Sequence, residues 1–222
     1  MLRYGKINLS KFFEVLNLET KIILIRHGES LANAKRIYLG HTDWDLSPRG
    51  YSEARAAAEY LRAFKVDAIY SSDLIRAYNT AIPNAEIHHL PVIKSEKLRE
   101  IYLGEWEGTP ISELEERYFE EFNHGWRENF GIFCPPGGES VQAVADRIYN
   151  EVVRIAKLHL GGTVVIACHA AAIRAFWGKV SGVAPERLAA EVPFPRNASC
   201  TTVVFDGDRI LPVVYGFADY LE

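Results

Sequence analysis

Short apolar runs alternate with longer amphipathic segments along most of this chain, and that alternation restricts the folds open to it. Residues 22–25 form a continuous apolar run, as in a strand buried on both faces. Residues 66–70 are strand-like, and residues 163–167 predict another buried strand. Helical patterns separate them, over about residues 47–64, 71–81, 140–160 and 169–180. This order predicts an α/β fold of three layers, in which helices cover a mostly parallel central sheet.

Two segments depart from the alternation. Residues 201–205 and 210–214 flank Asp206-Gly207, a dipeptide typical of hairpin turns, and they predict one antiparallel strand at the edge of the sheet. The stretch around residues 105–137 is rich in glutamate and aromatic residues and ends in prolines and glycines. We interpret it as an inserted, partly helical lid whose aromatic side chains mostly form its own core.

The length and charge of the chain limit its organisation and partners. With 222 residues and no linker, we expect a single domain over residues 21–222. Apolar residues at helical spacing in residues 9–17 predict an N-terminal helical extension over residues 1–20, which could dock on the body or on a second subunit of a homo-oligomer. The formal net charge of −4 argues against binding nucleic acid or an anionic membrane through bulk positive charge. Three scattered cysteines and the lack of an apolar run of about 20 residues predict a soluble, cytoplasmic protein.

Histidines and arginines follow the predicted strands, at the point where each strand ends. Arg26 and His27 come directly after the first predicted strand, at residues 22–25. Arg76 lies one helical turn beyond the second strand, and His169 comes just after the third. Because ligands of parallel sheets bind beyond the carboxyl ends of the strands, we expect these side chains to meet at one edge. Arginine forks and helix N-termini suit a small anion such as phosphate. No Walker loop, dinucleotide fingerprint or zinc motif is present, so we expect no cofactor and no metal.

Five short motifs occur in order along the chain. They are LIRHGES at residues 24–30 with Asn33 shortly after, SSDLIRA at 71–77, LRE at 98–100 with GEWEG at 104–108, PGGES at 136–140, and His169. Together they resemble the histidine phosphatase superfamily, the phosphoglycerate-mutase-like proteins, over about residues 21–215. The acid segment at residues 99–106 is similar to the phosphatase branch, which includes α-ribazole-phosphatase-like proteins.

The resemblance implies a phosphomonoester hydrolase that acts on a small phosphorylated metabolite through a phosphohistidine. His27 would attack the phosphorus, and Glu100 would protonate the leaving oxygen and then activate water. The neighbouring arginines disfavour a charged imidazolium and so keep the attacking nitrogen of His27 available. The phosphate would be bound by Arg26, Asn33, Arg76, His169 and the backbone at Ala170.

The sequence departs from the family pattern after the second histidine. Ala170-Ala171 stands where the family usually has two glycines, and their Cβ atoms would narrow the approach to phosphate. Cys168 stands where Ser or Thr is usual. Glu96, Glu105 and Glu107 lie close by in sequence and surface glutamates are common, so the residues alone leave open that Glu100 is an ordinary surface glutamate.

Four alternatives remain open from the residues alone. A phosphoglycerate-mutase-type phosphotransferase would use the same groups but keep water away from the phosphohistidine. A protein that only binds a phosphorylated ligand would keep the fold without turnover. The spacing from Cys168 to Arg174 matches that of cysteine-dependent phosphatases, and His27, His169 and Asp73 could serve a metal-dependent hydrolase.

Overall fold

A six-stranded sheet forms the centre of the described part of the chain, which comprises residues 19–222 of a computed structural model. The strands are β1 (Thr20–Arg26), β2 (Ala68–Ser71), β3 (Val92–Lys94), β4 (Thr163–Cys168), β5 (Cys200–Phe205) and β6 (Ile210–Phe217), in the order β3-β2-β4-β1-β5-β6. The four strands from β3 to β1 are parallel, whereas β5 runs antiparallel to both β1 and β6. The predicted mostly parallel sheet with an antiparallel edge is confirmed, and the edge is formed by a hairpin of two strands. The predicted helix over residues 9–17 lies outside the described residues.

Helices of very different lengths connect these strands. The α-helices are α1 (Leu31–Ala34), α2 (Pro48–Leu61), α3 (Ile75–His88), α4 (Ile111–Arg117), α5 (Val141–Leu158), α6 (Ala170–Ser181) and α7 (Leu188–Glu191), with a π-helix at Glu120–Glu128 and 3₁₀ turns at Glu96–Leu98, Gly104–Trp106, Phe130–Ile132, Pro185–Arg187 and Asp219–Leu221. The hydroxyl of Ser47 caps α2 by accepting the N–H of Gly50, and the hydroxyl of Ser140 caps α5 by accepting the N–H of Ala143. Both helices therefore begin where the serines predict.

Helix α3 is the element in which sequence and structure differ most. We predicted that residues 71–73 cap it and that it ends near residue 81, but it begins at Ile75 and continues through Pro83 to His88. The carboxylate of Asp73 accepts hydrogen bonds from Arg99 instead of capping the helix. Packing of the buried Ala77 and Ala81 beneath the sheet outweighs the hydrogen bond that Pro83 removes. The short edge strand β3 was not predicted, because its three residues are half exposed and carry no clear alternation.

The residues of β1 show how the three layers arise. Ile22 and Leu24 point into one apolar cluster, which helices α5 and α6 cover, whereas Ile23 and Ile25 point into a second cluster beneath α2 and α3. Successive side chains of a strand face opposite sides of a sheet, so a continuous apolar run requires cover on both faces. The three-layer α/β architecture is therefore a direct consequence of the apolar run.

The acidic and aromatic segment packs its rings against the first of these clusters. Trp106, Phe122 and Trp126 are buried, and their rings pack edge to face at centroid distances of 5.7 Å for Trp106–Phe122 and 6.2 Å for Trp106–Trp126. Phe119 instead lies on the surface and is 56% exposed. Within residues 19–222, no helix is long and apolar enough to cross a membrane.

Candidate active site

The pairing of β1 with β4 places two histidines side by side at the carboxyl edge of the sheet. Arg26 and Cys168 are partners in the parallel register, and the N–H of His27 donates to the carbonyl of Cys168 at 2.9 Å. The rings of His27 and His169 consequently lie with centroids 5.3 Å apart. Both imidazoles are buried, and the charge of Arg76 acts on both. The structure thus brings together the histidines that the sequence predicts to meet.

A hydrogen bond fixes the orientation and tautomer of His27. Its Nδ1 lies 2.7 Å from the carbonyl oxygen of Gly28, and since a carbonyl only accepts, Nδ1 must carry the proton. In the neutral ring this leaves Nε2 with a free lone pair. Gly28 also has to be glycine, because a Cβ there would lie 2.3 Å from the carbonyl oxygen of Gly50. The peptide that holds the imidazole is therefore tightly packed against helix α2.

Burial and neighbouring cations keep both imidazoles neutral. Desolvation, followed by the charges of Arg76 and Arg26, lowers the pKa of His27 well below its usual value of 6.5. Desolvation and the charge of Arg76 lower the pKa of His169 in the same way. Neither ring nitrogen of His169 has a hydrogen-bond partner among the described residues. Two neutral imidazoles therefore lie side by side, one with a free lone pair on Nε2 and one with both ring nitrogens unpaired among the described residues.

These lowered pKa values predict a loss of stability below neutral pH. Below pH 6.5 each histidine takes up a proton in the unfolded chain but not in the folded one, so the free energy of unfolding falls as the pH falls. A histidine that stays neutral in the folded chain contributes at most about 1.4 kcal/mol to this fall between pH 7.5 and pH 5.5. Urea unfolding at the two pH values measures this fall. His27→Gln should make the fall smaller, whereas replacing the exposed His124 by Gln should not reduce it. An unchanged fall in His27→Gln would show that folding does not lower the pKa of His27.

The guanidinium of Arg76 is held by the backbone of a neighbouring loop. It donates to the carbonyl oxygens of Gly40 at 2.7 Å and Thr42 at 3.0 Å, and only 1% of the residue is exposed. The carboxylate of Glu107 shapes this loop by accepting the N–H groups of Gly40, His41 and Thr42 at 2.8–3.2 Å. These bonds lower the pKa of Glu107 despite its burial. Glu107 is therefore a positioning residue, a role the sequence did not reveal because it showed only one glutamate among several.

A second loop, residues 193–198, supports Arg26 and His27. Nη1 of Arg26 donates to the carbonyl of Pro195 at 2.6 Å, and Nδ2 of Asn197 donates to the carbonyl of His27 at 3.0 Å. Asn197 also donates to Oδ1 of Asn33 at 3.3 Å, and the same oxygen accepts the N–H of Ser30, the residue that caps α1. Sequence analysis did not single out this loop. Its one signal was a turn-forming Pro-Arg-Asn run directly before β5.

The carboxylate of Glu100 lies at the N-terminus of α6. Its Oε1 accepts the N–H groups of Ile101 and Ala172 at 2.9 Å each, and its Oε2 accepts the N–H of Ala171 at 3.0 Å. The N-terminus of a helix carries partial positive charge, which stabilises a carboxylate in this position. We expected the backbone of the Ala170-Ala171 pair to approach phosphate. The N–H of Ala171 instead donates to Glu100. Ala170 itself lies on the lining of the adjacent cavity.

A single cavity of about 230 Å³ connects these groups. Arg26, His27, Asn33, Glu100 and Ala170 all line it. Arg76 and His169 are not among the residues that line it. The charge of Arg76 acts on the lining residue His27, and the ring of His169 lies 5.3 Å from that of His27. The cavity is several times the roughly 30 Å³ that one water occupies in the liquid, so it has room for several water-sized groups.

The hydroxyl of Thr80 links the backbone next to His27 to the backbone of Arg76. It accepts the N–H of Gly28 at 3.0 Å and donates to the carbonyl of Arg76 at 2.7 Å. Thr80→Val should lower kcat about tenfold, since losing one such bond costs about 1.4 kcal/mol and lets the peptide that orients His27 shift. Thr80→Ser keeps the hydroxyl and should restore kcat. Steady-state kinetics with both variants test this, and equal kcat values in the two would exclude a positioning role.

The geometry argues against two of the alternative mechanisms. Cys168 is fully buried, and burial raises the pKa of its thiol to about 12, while Arg174 donates away from it to the carbonyls of Val192 and Ala189. Asp73 forms an ion pair with Arg99. Within residues 19–222, no group of three His, Cys, Asp or Glu side chains is arranged to bind a metal ion.

Comparisons with known proteins agree with this geometry. The family model of the histidine phosphatase superfamily (branch 1) matches residues 22–217. This chain belongs to that superfamily. Phosphoserine phosphatase 1 of Hydrogenobacter thermophilus is 39% identical over 163 residues, which cover 73% of this chain and 77% of that protein. The histidine phosphatase family that the five motifs predict is confirmed.

Two further relatives show the range of the superfamily. A 2,3-bisphosphoglycerate-dependent phosphoglycerate mutase of Mesorhizobium japonicum is 31% identical over 174 residues, 75% of this chain and 84% of the mutase. The solved structure of mycobacterial glucosyl-3-phosphoglycerate phosphatase superposes with a TM-score of 0.81 at 28% identity, over 89% of this chain and 99% of that one. Phosphatases and mutases thus share this fold.

Proposed function

We propose that this protein is a phosphatase of small phosphorylated metabolites, that it needs no metal, and that it acts through a phosphohistidine on His27. Relatives named as phosphatases support the activity. The observation that carries the mechanism is the neutral imidazole of His27, whose Nδ1–H is bound to the Gly28 carbonyl and whose Nε2 is free in a cavity beside Arg26. The cytoplasmic location, the lack of nucleic-acid binding and the formation of a homo-oligomer stay predictions of the sequence.

The first step transfers the phosphoryl group from substrate to enzyme. The lone pair of Nε2 forms a bond to phosphorus, and the bond from phosphorus to the leaving oxygen breaks. Phosphoryl transfer depends mainly on positioning and charge neutralisation, which Arg26 and Arg76 supply. Because His27 is neutral, no proton has to leave its ring before it attacks.

Glu100 handles the proton in both steps. Oε1 already accepts two N–H groups and Oε2 accepts one, so Oε2 has the free lone pair that a proton requires. In the first step the carboxylic acid gives this proton to the leaving oxygen and the alcohol departs. In the second step the carboxylate takes a proton from water and the water oxygen bonds to phosphorus. The bond from phosphorus to Nε2 breaks, inorganic phosphate departs, and His27 is regenerated.

The phosphatase is favoured over the mutase by the acid segment around Glu100. Residues 99–106 resemble the acid segment of the phosphatase branch. The relative named as a phosphoserine phosphatase supports the same choice. A mutase would return the phosphoryl group to a second hydroxyl on the bound substrate instead of to water. Retention of phosphate in a rearranged product, without release, would establish the mutase alternative.

Release of inorganic phosphate from a panel of phosphomonoesters tests the activity and the metal requirement together. We expect full activity after exhaustive dialysis against EDTA and no gain from added Mg²⁺, Mn²⁺ or Zn²⁺. The arginines that line the site replace the charge a metal would otherwise supply. Loss of activity on chelation with recovery on adding one metal would contradict the proposal, and tight binding of the esters without turnover would identify a binding protein instead.

A further inference from the structure

Beyond the residues that are proposed to bind phosphate, the cavity continues along an apolar wall. Five apolar side chains contribute to this wall, which we call the leaving-group wall: Ile37, Leu39, Ile111, Trp126 and Phe194. They come from four separate parts of the chain: the loop after α1, helix α4, the π-helix and the loop before β5. When the phosphoryl group of a substrate lies at His27, the leaving group of that substrate would lie against this wall.

The aromatic part of the leaving-group wall is fixed by its packing. The rings of Trp126 and Phe194 stack with centroids 6.1 Å apart, and Trp126 packs edge to face on Phe130 at 5.0 Å. Arg174 lies with its guanidinium 4.2 Å from the centre of the Phe194 ring, while its N–H groups are occupied by backbone carbonyls. The buried Arg174, which the reaction itself does not use, therefore supports the wall.

Few polar groups on this side of the cavity are free to bind a charged leaving group. The indole N–H of Trp126 already donates to the hydroxyl of Tyr38 at 2.9 Å, which leaves one O–H of Tyr38 to donate. Arg36 is the one additional cation on the lining, and it is exposed to water, where an ion pair contributes little. A carboxylate or ammonium group placed against Trp126 and Phe194 would lose water without gaining a partner.

We propose that the substrate is a monoester of an apolar, uncharged alcohol, whose carbon chain is buried against the leaving-group wall. The inference rests on the phosphatase activity proposed above and specifies its substrate class. It differs from the class that the name phosphoserine phosphatase implies, since serine carries an ammonium and a carboxylate next to its hydroxyl. Recognition comes from apolar area removed from water, so kcat/KM should increase with the length of the carbon chain of the substrate alcohol.

A series of n-alkyl phosphates tests this substrate class. Methyl, butyl and hexyl phosphate have leaving alcohols of similar basicity, so differences in kcat/KM report binding of the chain. We expect kcat/KM to rise up to about fourfold for each methylene that is buried, which corresponds to about 0.8 kcal/mol. L-phosphoserine should fall below butyl phosphate.

Two variants separate the wall from the rest of the protein. Phe194→Ala removes a wall residue that is 39% exposed, so it should fold, and it should flatten the rise from methyl to hexyl phosphate. Phe119→Ala is the matched control, because Phe119 is exposed and does not line the cavity, and the rise should persist there.

The outcomes distinguish this inference from the proposed activity. No dependence of kcat/KM on chain length, or a preference for L-phosphoserine over hexyl phosphate, would overturn the substrate class while leaving the phosphatase intact. A rise that is equally steep in Phe194→Ala would also overturn it. Failure to hydrolyse any ester would overturn both proposals.

Discussion

Replacing His27 by alanine should abolish phosphate release, with kcat/KM reduced by about 10⁴-fold or more. The substitution removes the nitrogen that forms the bond to phosphorus in the proposed mechanism, and the remaining groups can bind phosphate but have no nucleophile to replace it. The measurement is kcat/KM for one well-hydrolysed phosphomonoester. The Kd for inorganic phosphate should change far less than the rate, because Arg26 and Arg76 remain.

The exposed His124 provides the matched control for this substitution. It lies on the π-helix between Glu120 and Glu128, away from the cavity, and the neighbouring Glu128 raises its pKa. His124→Ala should therefore leave kcat/KM unchanged. A His27→Ala protein that folds and keeps more than about one per cent of the activity would mean that another group attacks phosphorus.

Replacing Glu100 by glutamine should reduce kcat about 10²- to 10⁴-fold for alkyl phosphates, the usual contribution of a general acid. Glutamine has nearly the same shape but no proton to give to the leaving oxygen. With p-nitrophenyl phosphate, whose leaving group is a weak base and departs without a proton, the formation of the phosphohistidine should be affected much less. A pre-steady-state burst of p-nitrophenol followed by slow turnover is the expected signature, since the second step still needs a base for water.

A burst of p-nitrophenol would distinguish the loss of a proton donor at Glu100 from a structural defect caused by the substitution. The Glu100 carboxylate also accepts three N–H groups, two of them from the first turn of α6, so Glu100→Gln loses part of this support. A structural defect would slow alkyl and p-nitrophenyl esters equally and lower the thermal midpoint. Glu107→Gln gives a comparison, because Glu107 positions the loop that binds Arg76 and should slow both steps and both kinds of ester.

The sequence predicts the part of the site that depends on strand order. His27 and His169 follow apolar runs that had to be buried strands, and parallel strands deliver their carboxyl ends to one edge. The motif around Arg76 places it on the next strand's helix. These placements follow from local pattern and general rules of α/β sheets, and the structure has them where the pattern predicts.

Contacts between distant loops could not be predicted in this way. The carbonyls that hold Arg76 belong to a loop ordered by Glu107, 65–67 residues away from the N–H groups it accepts. Asn197 supports a carbonyl 170 residues earlier. Such hydrogen bonds depend on how loops meet after the sheet has formed, and no periodicity in the chain encodes them. Likewise, Pro83 is a helix-breaking signal in sequence, and only the tertiary packing of α3 overrides it.

Trapping the covalent intermediate tests the central claim most directly. Acid quenching destroys phosphohistidine, so the enzyme should be mixed with a ³²P-labelled ester for milliseconds, denatured in alkali and digested for mass spectrometry. We predict one phosphoryl group on the peptide that contains His27, formed at the rate of the burst and lost during turnover. A label on Cys168 or His169, or turnover at the normal rate with no labelled peptide, would contradict the account.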